Sequence, residues 1–122
     1  DVRELQLAKA AIAAGVQLLC RKRGCRIEDI QTLLLAGAFG NYLDPESACG
    51  IGLLPEALRE KIIPVGNAAG AGARLAVLSE EEFRRGEKMA EKAGFLELAS
   101  ESDFMDVYVD EMSYAQEDCY GI

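Results

Sequence analysis

The residues of this chain best suited to chemistry are two runs of small side chains, LLLAGAFGNYLD at residues 33–44 and PVGNAAGAGARLAVL at residues 64–78. In each, a short aliphatic run ends on glycine, and the second continues directly into an alanine-rich segment. A buried strand of an α/β protein reads as such a continuous aliphatic run. A glycine just past its end lets the chain turn and brings the main chain close to a ligand, since no Cβ stands in the way. Open α/β sheets bind ligands beyond the carboxyl ends of their strands, which is where residues 37–41 and 66–72 fall. Asn41 and Asn67 stand beside these turns as neutral groups that both donate and accept hydrogen bonds and tolerate left-handed backbone. Glycine turns next to helix starts suit a nucleotide or phosphate, and tight packing would explain the same glycines equally well. The chain has neither the G-x-x-x-x-G-K-[ST] of a P-loop nor a G-x-G-x-x-G opening a helix.

Other chemistry is limited by what the chain lacks. There is no histidine, the commonest general base and a principal zinc ligand. The four cysteines, Cys20, Cys25, Cys49 and Cys119, form no complete metal spacing. Cys20 and Cys25 have the C-x4-C gap that opens a plant-type ferredoxin site, without the C-x2-C step that must follow. They read as reduced thiols of a cytoplasmic protein. No catalytic and no metal-ligating residue is therefore assigned.

The net charge is −8, and its distribution is uneven. From Ala93 onward there are eight acids and no Lys or Arg, whereas residues 1–92 carry 13 of each sign. An acidic C-terminal part argues against nucleic acid or an anionic membrane as partner. It reads as a solvated acidic face, with a docking surface for a basic partner as the alternative. The 122 residues, half of them apolar, suffice for one domain with a core. With no initiator methionine, no signal-peptide pattern and no long apolar stretch, the chain is expected to be a piece of a longer protein without a membrane span.

The elements that must position the glycine turns follow from periodicity. Residues 2–23 have apolar side chains at Leu5, Ala8, Ile12, Val16 and Leu19, with a second row at Leu7, Ala11, Ala14 and Leu18. This predicts a wide-faced amphipathic helix ended by Gly24, with Gly15 at a close packing contact. Residues 28–30 are a linking turn. Strands are expected at 32–36 and 61–65, and a third at 95–98. Between the first strand and Asp44-Pro45 lies a glycine loop. Asp44 caps a short helix with proline at its first position, broken by Gly50 and Gly52, and a turn or short helix follows around Pro55. Residues 68–78 form a helix whose first turns carry almost no side chains, which suits something lying close against it. Ser79 caps the next helix, to about Ala93, and residues 102–112 form the last. Residues 1–114 are thus the domain and 115–122 a loose acidic tail.

The segments LAGAFGNYLDPESACGIGLLP and IIPVGNAAGAGARLAVLS, preceded by DVRELQLAKAAI, resemble the C-terminal part of the ATPase domain of reductive activators of corrinoid-dependent proteins. These belong to the acetate and sugar kinase, heat-shock chaperone and actin superfamily. The resemblance covers nearly the whole chain and weakens after Tyr114. It implies an α/β, actin-like (ribonuclease H-like) lobe fragment, a short sheet with flanking helices. It also implies an adenosine motif at Gly37, Ala38, Phe39, Gly40 and Asn41, and a following loop and helix start at Gly66, Asn67, Ala68, Ala69 and Gly70. Relatives often have Gly-Gly where this chain has Gly37-Ala38, which restricts backbone approach at Ala38.

The activity implied is ATP-dependent reduction of an inactive cobalt(II) corrinoid to cobalt(I). ATP would bind with Mg in the full-length parent, and electrons would pass through an iron–sulfur cluster in the parent's N-terminal domain. The implied partner is a corrinoid protein or a corrinoid methyltransferase component, and a homodimeric parent is compatible with this. On its own the fragment, half of an ATP cleft, is expected to be inactive. Two alternatives stay open: an ATP-dependent activator of another redox enzyme such as an acyl-CoA dehydratase, or a non-catalytic protein-interaction module.

Overall fold

The computed structural model describes residues 1–114, apart from the side chain of Phe39. The expected tail at 115–122 lies outside the described residues. In chain order the elements are α1 (Val2–Arg23), β1 (Leu33–Ala36), α2 (Ala38–Tyr42), α3 (Pro45–Gly50), β2 (Ile62–Gly66), α4 (Ala68–Leu78), α5 (Glu80–Lys92) and α6 (Phe104–Asp110). Turns of 3-10 helix lie at Ile27–Asp29, Glu56–Lys61 and Leu98–Ser100. These elements gather into two compact units, one of residues 1–33, 43–62 and 97–114, the other of residues 34–42 and 63–96.

The first unit holds nearly all of the buried apolar side chains. Its α1 starts on Asp1, whose carboxylate accepts from the Arg3 amide at 3.0 Å. It ends on Gly24 in left-handed geometry, φ 74°. Arg21, Lys22 and Arg23 occupy the last turn, where cations are favoured by the helix dipole. The face that α1 buries carries Lys9, Ala10, Ala13, Ala14, Gly15 and Leu18, and it packs chiefly against α6. Small residues let the helices come close, and a Cβ on Gly15 would lie 3.4 Å from Leu98 Cδ1, the packing contact expected there. The expected row of Leu5, Ile12 and Leu19 is exposed instead. An alanine-rich face approaches its neighbour more closely than a leucine face can, so the large side chains are left outside.

The remainder of this unit is built on α3 and the turn after Pro55, which bury Ala48, Cys49, Leu53, Leu54 and Leu58. Asp44 caps α3 as its sequence requires, accepting from the Ser47 amide at 2.9 Å, with Pro45 in the first turn. Lys61 ties two segments together by donating to the carbonyls of Glu28 and Ile30 at 2.9 and 2.8 Å. The expected last helix is shorter than its periodicity predicts, Phe104–Asp110, with the Phe104 and Tyr108 rings stacked 5.5 Å apart.

In the second unit β1 and β2 pair as a two-stranded parallel sheet. After β1 the chain turns at Gly37 into α2, so the expected glycine loop is a five-residue helix. After β2 it turns at Gly66 into α4, and α4 and α5 pack together as a helical hairpin. Ser79 serves both helices. Its amide donates to the Leu75 carbonyl at 3.0 Å, and its hydroxyl accepts from the Glu82 amide at 3.3 Å. The third strand expected at 95–98 does not form: Leu98 begins a 3-10 turn and packs toward Gly15. A short apolar run such as FLEL suits a strand only if a neighbour pairs with it, and it serves equally as a core anchor. No helix among the described residues is long and apolar enough to cross a membrane.

Candidate functional site

All ten residues expected at the site, Gly37 to Asn41 and Gly66 to Gly70, fall in the second unit. Their geometry begins with the two strand ends. Gly37 and Gly66 both have positive φ, 74° and 61°, a region that residues with a Cβ enter only at a cost. The Gly37 amide donates to the Gly66 carbonyl at 2.6 Å. The two turns are therefore one hydrogen-bonded structure, with α2 leaving from one and α4 from the other. Gly37 and Ala38 are exposed, as are Asn41 and residues 67–70, while Gly40 and Gly66 are half-buried.

The glycines divide by cause. Gly37 and Gly66 are fixed by backbone conformation, and no atom stands within 4 Å of where a Cβ on Gly37 would be. Gly40 has no positive φ. A Cβ there would meet the Leu35 carbonyl oxygen at 2.5 Å and the Gly66 nitrogen at 3.4 Å. Its missing side chain thus lets α2 fold back on the strand that precedes it. Gly70 is bare because the Asn67 side chain occupies its space, with Cγ 2.9 Å from the Cβ it lacks. These two packing causes depend on contacts that sequence cannot display.

Asn67 is the N-cap of α4, its side-chain oxygen accepting from the Gly70 amide at 2.9 Å. That oxygen is committed to the helix. The amides of Ala68 and Ala69, the first two of the helix, have no intrahelical acceptor, and their methyl side chains leave them open to solvent. The positive end of the helix dipole lies here. Asn41 is exposed at the other turn, with its side-chain oxygen 4.0 Å from where a Gly66 Cβ would be. The site can thus offer helix-start amides, the Asn41 carboxamide, which has no hydrogen-bond partner among the described residues, and unobstructed main chain to a ligand carrying hydrogen-bonding edges or negative charge. These donors fit an adenine nucleotide.

No acid, histidine or cysteine is among these ten residues, and among the described residues no three His, Cys, Asp or Glu side chains converge as a metal site. A cavity of about 260 Å³ lies in the first unit, lined in part by Ala13, Gln17, Cys49, Gly52, Leu54 and Glu111. It contains none of the ten.

Two parallel strands that end on linked glycine turns, each opening a helix, form an α/β unit of the kind found in actin-like domains. Residues 1–121 match the family described as the C-terminal domain of RACo, the ASKHA domain, and the chain belongs to that family. It is 41% identical over 109 residues to the corrinoid activation enzyme RamQ of Eubacterium limosum, covering 89% of this chain and 18% of that protein. It is 34% identical over 116 residues to the [Co(II) methylated amine-specific corrinoid protein] reductase of Methanosarcina barkeri, covering 93% of this chain and 21% of that protein. A solved structure, a reductive activator for a corrinoid, iron–sulfur protein, superposes with TM-score 0.83 at 38% identity over 92% of this chain and 18% of its own. The chain thus spans about one fifth of the length of these relatives. Its fold is the actin-like α/β domain that the resemblance implies.

Proposed function

We propose that this chain carries the adenosine side of an ATP site in a reductive activator, which returns an inactive cobalt(II) corrinoid protein to cobalt(I). One observation carries the nucleotide reading: the Gly37 to Gly66 hydrogen bond, which brings two strand ends and two helix starts into one exposed patch. Gly37, Ala38, Phe39, Gly40 and Asn41 form one side of the adenosine site, and Gly66, Asn67, Ala68, Ala69 and Gly70 the other. Asn67 and Gly70 act by shaping the helix start, whose Ala68 and Ala69 amides face the ligand. Membership of the family supports ATP, and two relatives named for corrinoid proteins favour a corrinoid protein as partner over an acyl-CoA dehydratase.

ATP would be bound with Mg, and the single electron that takes cobalt(II) to cobalt(I) would come through an iron–sulfur cluster. Both are assigned to parts of a longer parent, as is turnover, and the setting is cytoplasmic. The protein-interaction reading has one observation of its own, the exposure of Val77, Leu78 and Phe95 in the second unit.

Ala69→Glu in the intact protein separates the readings. A carboxylate in the first turn of α4 is favoured by the dipole, so folding is maintained. The side chain nevertheless blocks the helix-start amides and repels phosphate. Calorimetric titration with a non-hydrolysable ATP analogue should show affinity lowered at least about tenfold, about 1.4 kcal/mol, at unchanged melting temperature without nucleotide. Unchanged affinity would remove α4 from the site.

A further inference from the structure

We propose that Cys20 and Cys25 form a dithiol that a low-molecular-weight disulfide such as oxidised glutathione converts reversibly to an intramolecular disulfide. The proposal stands apart from the nucleotide reading and rests on how α1 ends. The Gly24 amide donates to the Arg21 carbonyl at 3.1 Å and the Cys25 amide to the Cys20 carbonyl at 3.0 Å. With Gly24 left-handed, these two bonds define a Schellman motif, which characteristically brings the side chains at its two ends together. Here those ends are Cys20 and Cys25, both free thiols.

Cysteines whose Cα atoms are more than about 7 Å apart cannot be bridged. The 3.0 Å bond from the Cys25 amide to the Cys20 carbonyl keeps these two Cα atoms within that reach, and rotation about χ1 then brings the sulfurs to each other. The environment supplies a second sign of proximity. Burial first, and next the neighbouring Cys25 side chain, raise the Cys20 thiol above its ordinary range, with Asp29 and Glu28 adding to the effect.

Access orders the chemistry. Cys25 is half-exposed and Cys20 is buried, so Cys25 attacks first. Its thiol loses a proton to water, and the thiolate attacks one sulfur of the small disulfide. The S–S bond breaks, one small thiolate leaves with the electron pair, and a mixed disulfide remains on Cys25. Cys20 then loses its proton and attacks the Cys25 sulfur, expelling the second small thiolate. The two protein sulfurs together lose two electrons, the small disulfide gains them, and two small thiols carry away the two protons. The product ties the last turn of α1 across its glycine cap, beside the ion pairs of Arg21 with Asp103 at 3.3 Å and Lys22 with Glu101 at 3.8 Å. Thiol excess reverses both steps.

The test uses the intact protein, equilibrated in glutathione buffers from reducing to oxidising, then alkylated, digested with trypsin and analysed by mass spectrometry without reduction. Trypsin cuts between the two cysteines at Arg21, Lys22 and Arg23, so the disulfide joins the peptide of residues 10–21 to that of residues 24–26. The expected result is this joined species, lighter than the two thiol peptides by two hydrogens, rising with oxidant and lost on return to reducing buffer. Cys25→Ser abolishes it, and Cys49→Ser leaves it unchanged. Both cysteines alkylated throughout, or a glutathione adduct on Cys25 that Cys20 never displaces, would overturn the proposal.

Discussion

Gly37 and Gly66 are joined by a 2.6 Å hydrogen bond from the amide of one to the carbonyl of the other, both with left-handed backbone. Neither strand end can therefore be altered alone. An alanine at Gly37 has free space, so its cost is conformational, about 1–2 kcal/mol. Asparagine accepts that conformation more readily. In urea denaturation Gly37→Ala should lose stability, and Gly37→Asn should lose visibly less. Equal losses would mean that the side chain, and not φ, is the difficulty.

Gly40 poses the opposite case. Its φ is ordinary, yet its Cβ would stand 2.5 Å from the Leu35 carbonyl oxygen. Backbone cannot yield as a flexible side chain does, and overpacking of this kind costs about 1–3 kcal/mol. Gly40→Ala should thus melt earlier than Gly37→Ala, although only Gly37 needs positive φ. Gly40→Ala with the stability of the unaltered protein would show that α2 shifts freely on β1.

Much of this arrangement is legible in the sequence. The caps at Asp44, Asn67 and Ser79 and the stop at Gly24 are local signals, and α1 and α4 have the bounds that their patterns predict, Val2–Arg23 and Ala68–Leu78. The two glycine turns were also readable as strand ends. What escaped reading depends on neighbours. The five residues of α2 are too few to show a period. The side chain of Lys9 is buried where a polar residue argues for solvent. Gly40 and Gly70 look alike in sequence and owe their bareness to a carbonyl and to a carboxamide respectively.

Asn67 and Gly70 should show coupling that changes sign. Asn67→Ala removes the cap and costs about 1 kcal/mol. Gly70→Ala drives a methyl into the Asn67 side chain and so displaces the cap. With Asn67 already alanine that obstacle is gone, and alanine is better than glycine within a helix by about 1 kcal/mol. Gly70→Ala should therefore destabilise the unaltered protein and stabilise Asn67→Ala. A double-mutant cycle by chemical denaturation measures this, and additive losses would contradict it.

Asp44 links α3 to pH. The Ser47 hydroxyl, 2.6 Å away, and then the Ser47 amide hold its carboxyl below the usual range. A carboxyl with a folded pKa below its unfolded one stabilises above the unfolded value, about 3.9. That contribution is lost as pH falls through the folded pKa. Thermal melts of Asp44→Ala should lie below those of the unaltered protein at neutral pH, and the gap should close as pH falls below that value. A gap that persists into acid would assign the cap's effect to something other than the ionised carboxylate.

Lys9 gives the largest expected loss. Its side chain is 1% exposed, and a buried ammonium is costly unless fully partnered. Its partners come from the end of α6. The ammonium donates to the Glu111 carbonyl at 2.9 Å and to the Ser113 carbonyl, and it lies 5.1 Å from the centre of the Tyr114 ring. Carbonyls at a helix C-terminus carry the negative end of the dipole, and the ring face adds attraction for a cation. Lys9→Met preserves most of the volume and removes the charge, but it leaves the two carbonyls without that donor. Charged hydrogen bonds contribute about 1.5–3 kcal/mol each and buried acceptors left unpaired cost more, so a loss of about 3 kcal/mol is expected in urea. Gly52 provides an independent check. A Cβ there would lie 3.1 Å from Lys9 Cε, at φ 78°. Gly52→Ala should therefore destabilise by strain and by displacing Lys9, and in a Lys9→Ala background, where Cε is gone, only the strain should remain. If Lys9→Met unfolds at the same urea concentration as the unaltered protein, the ammonium does not hold α6 against α1.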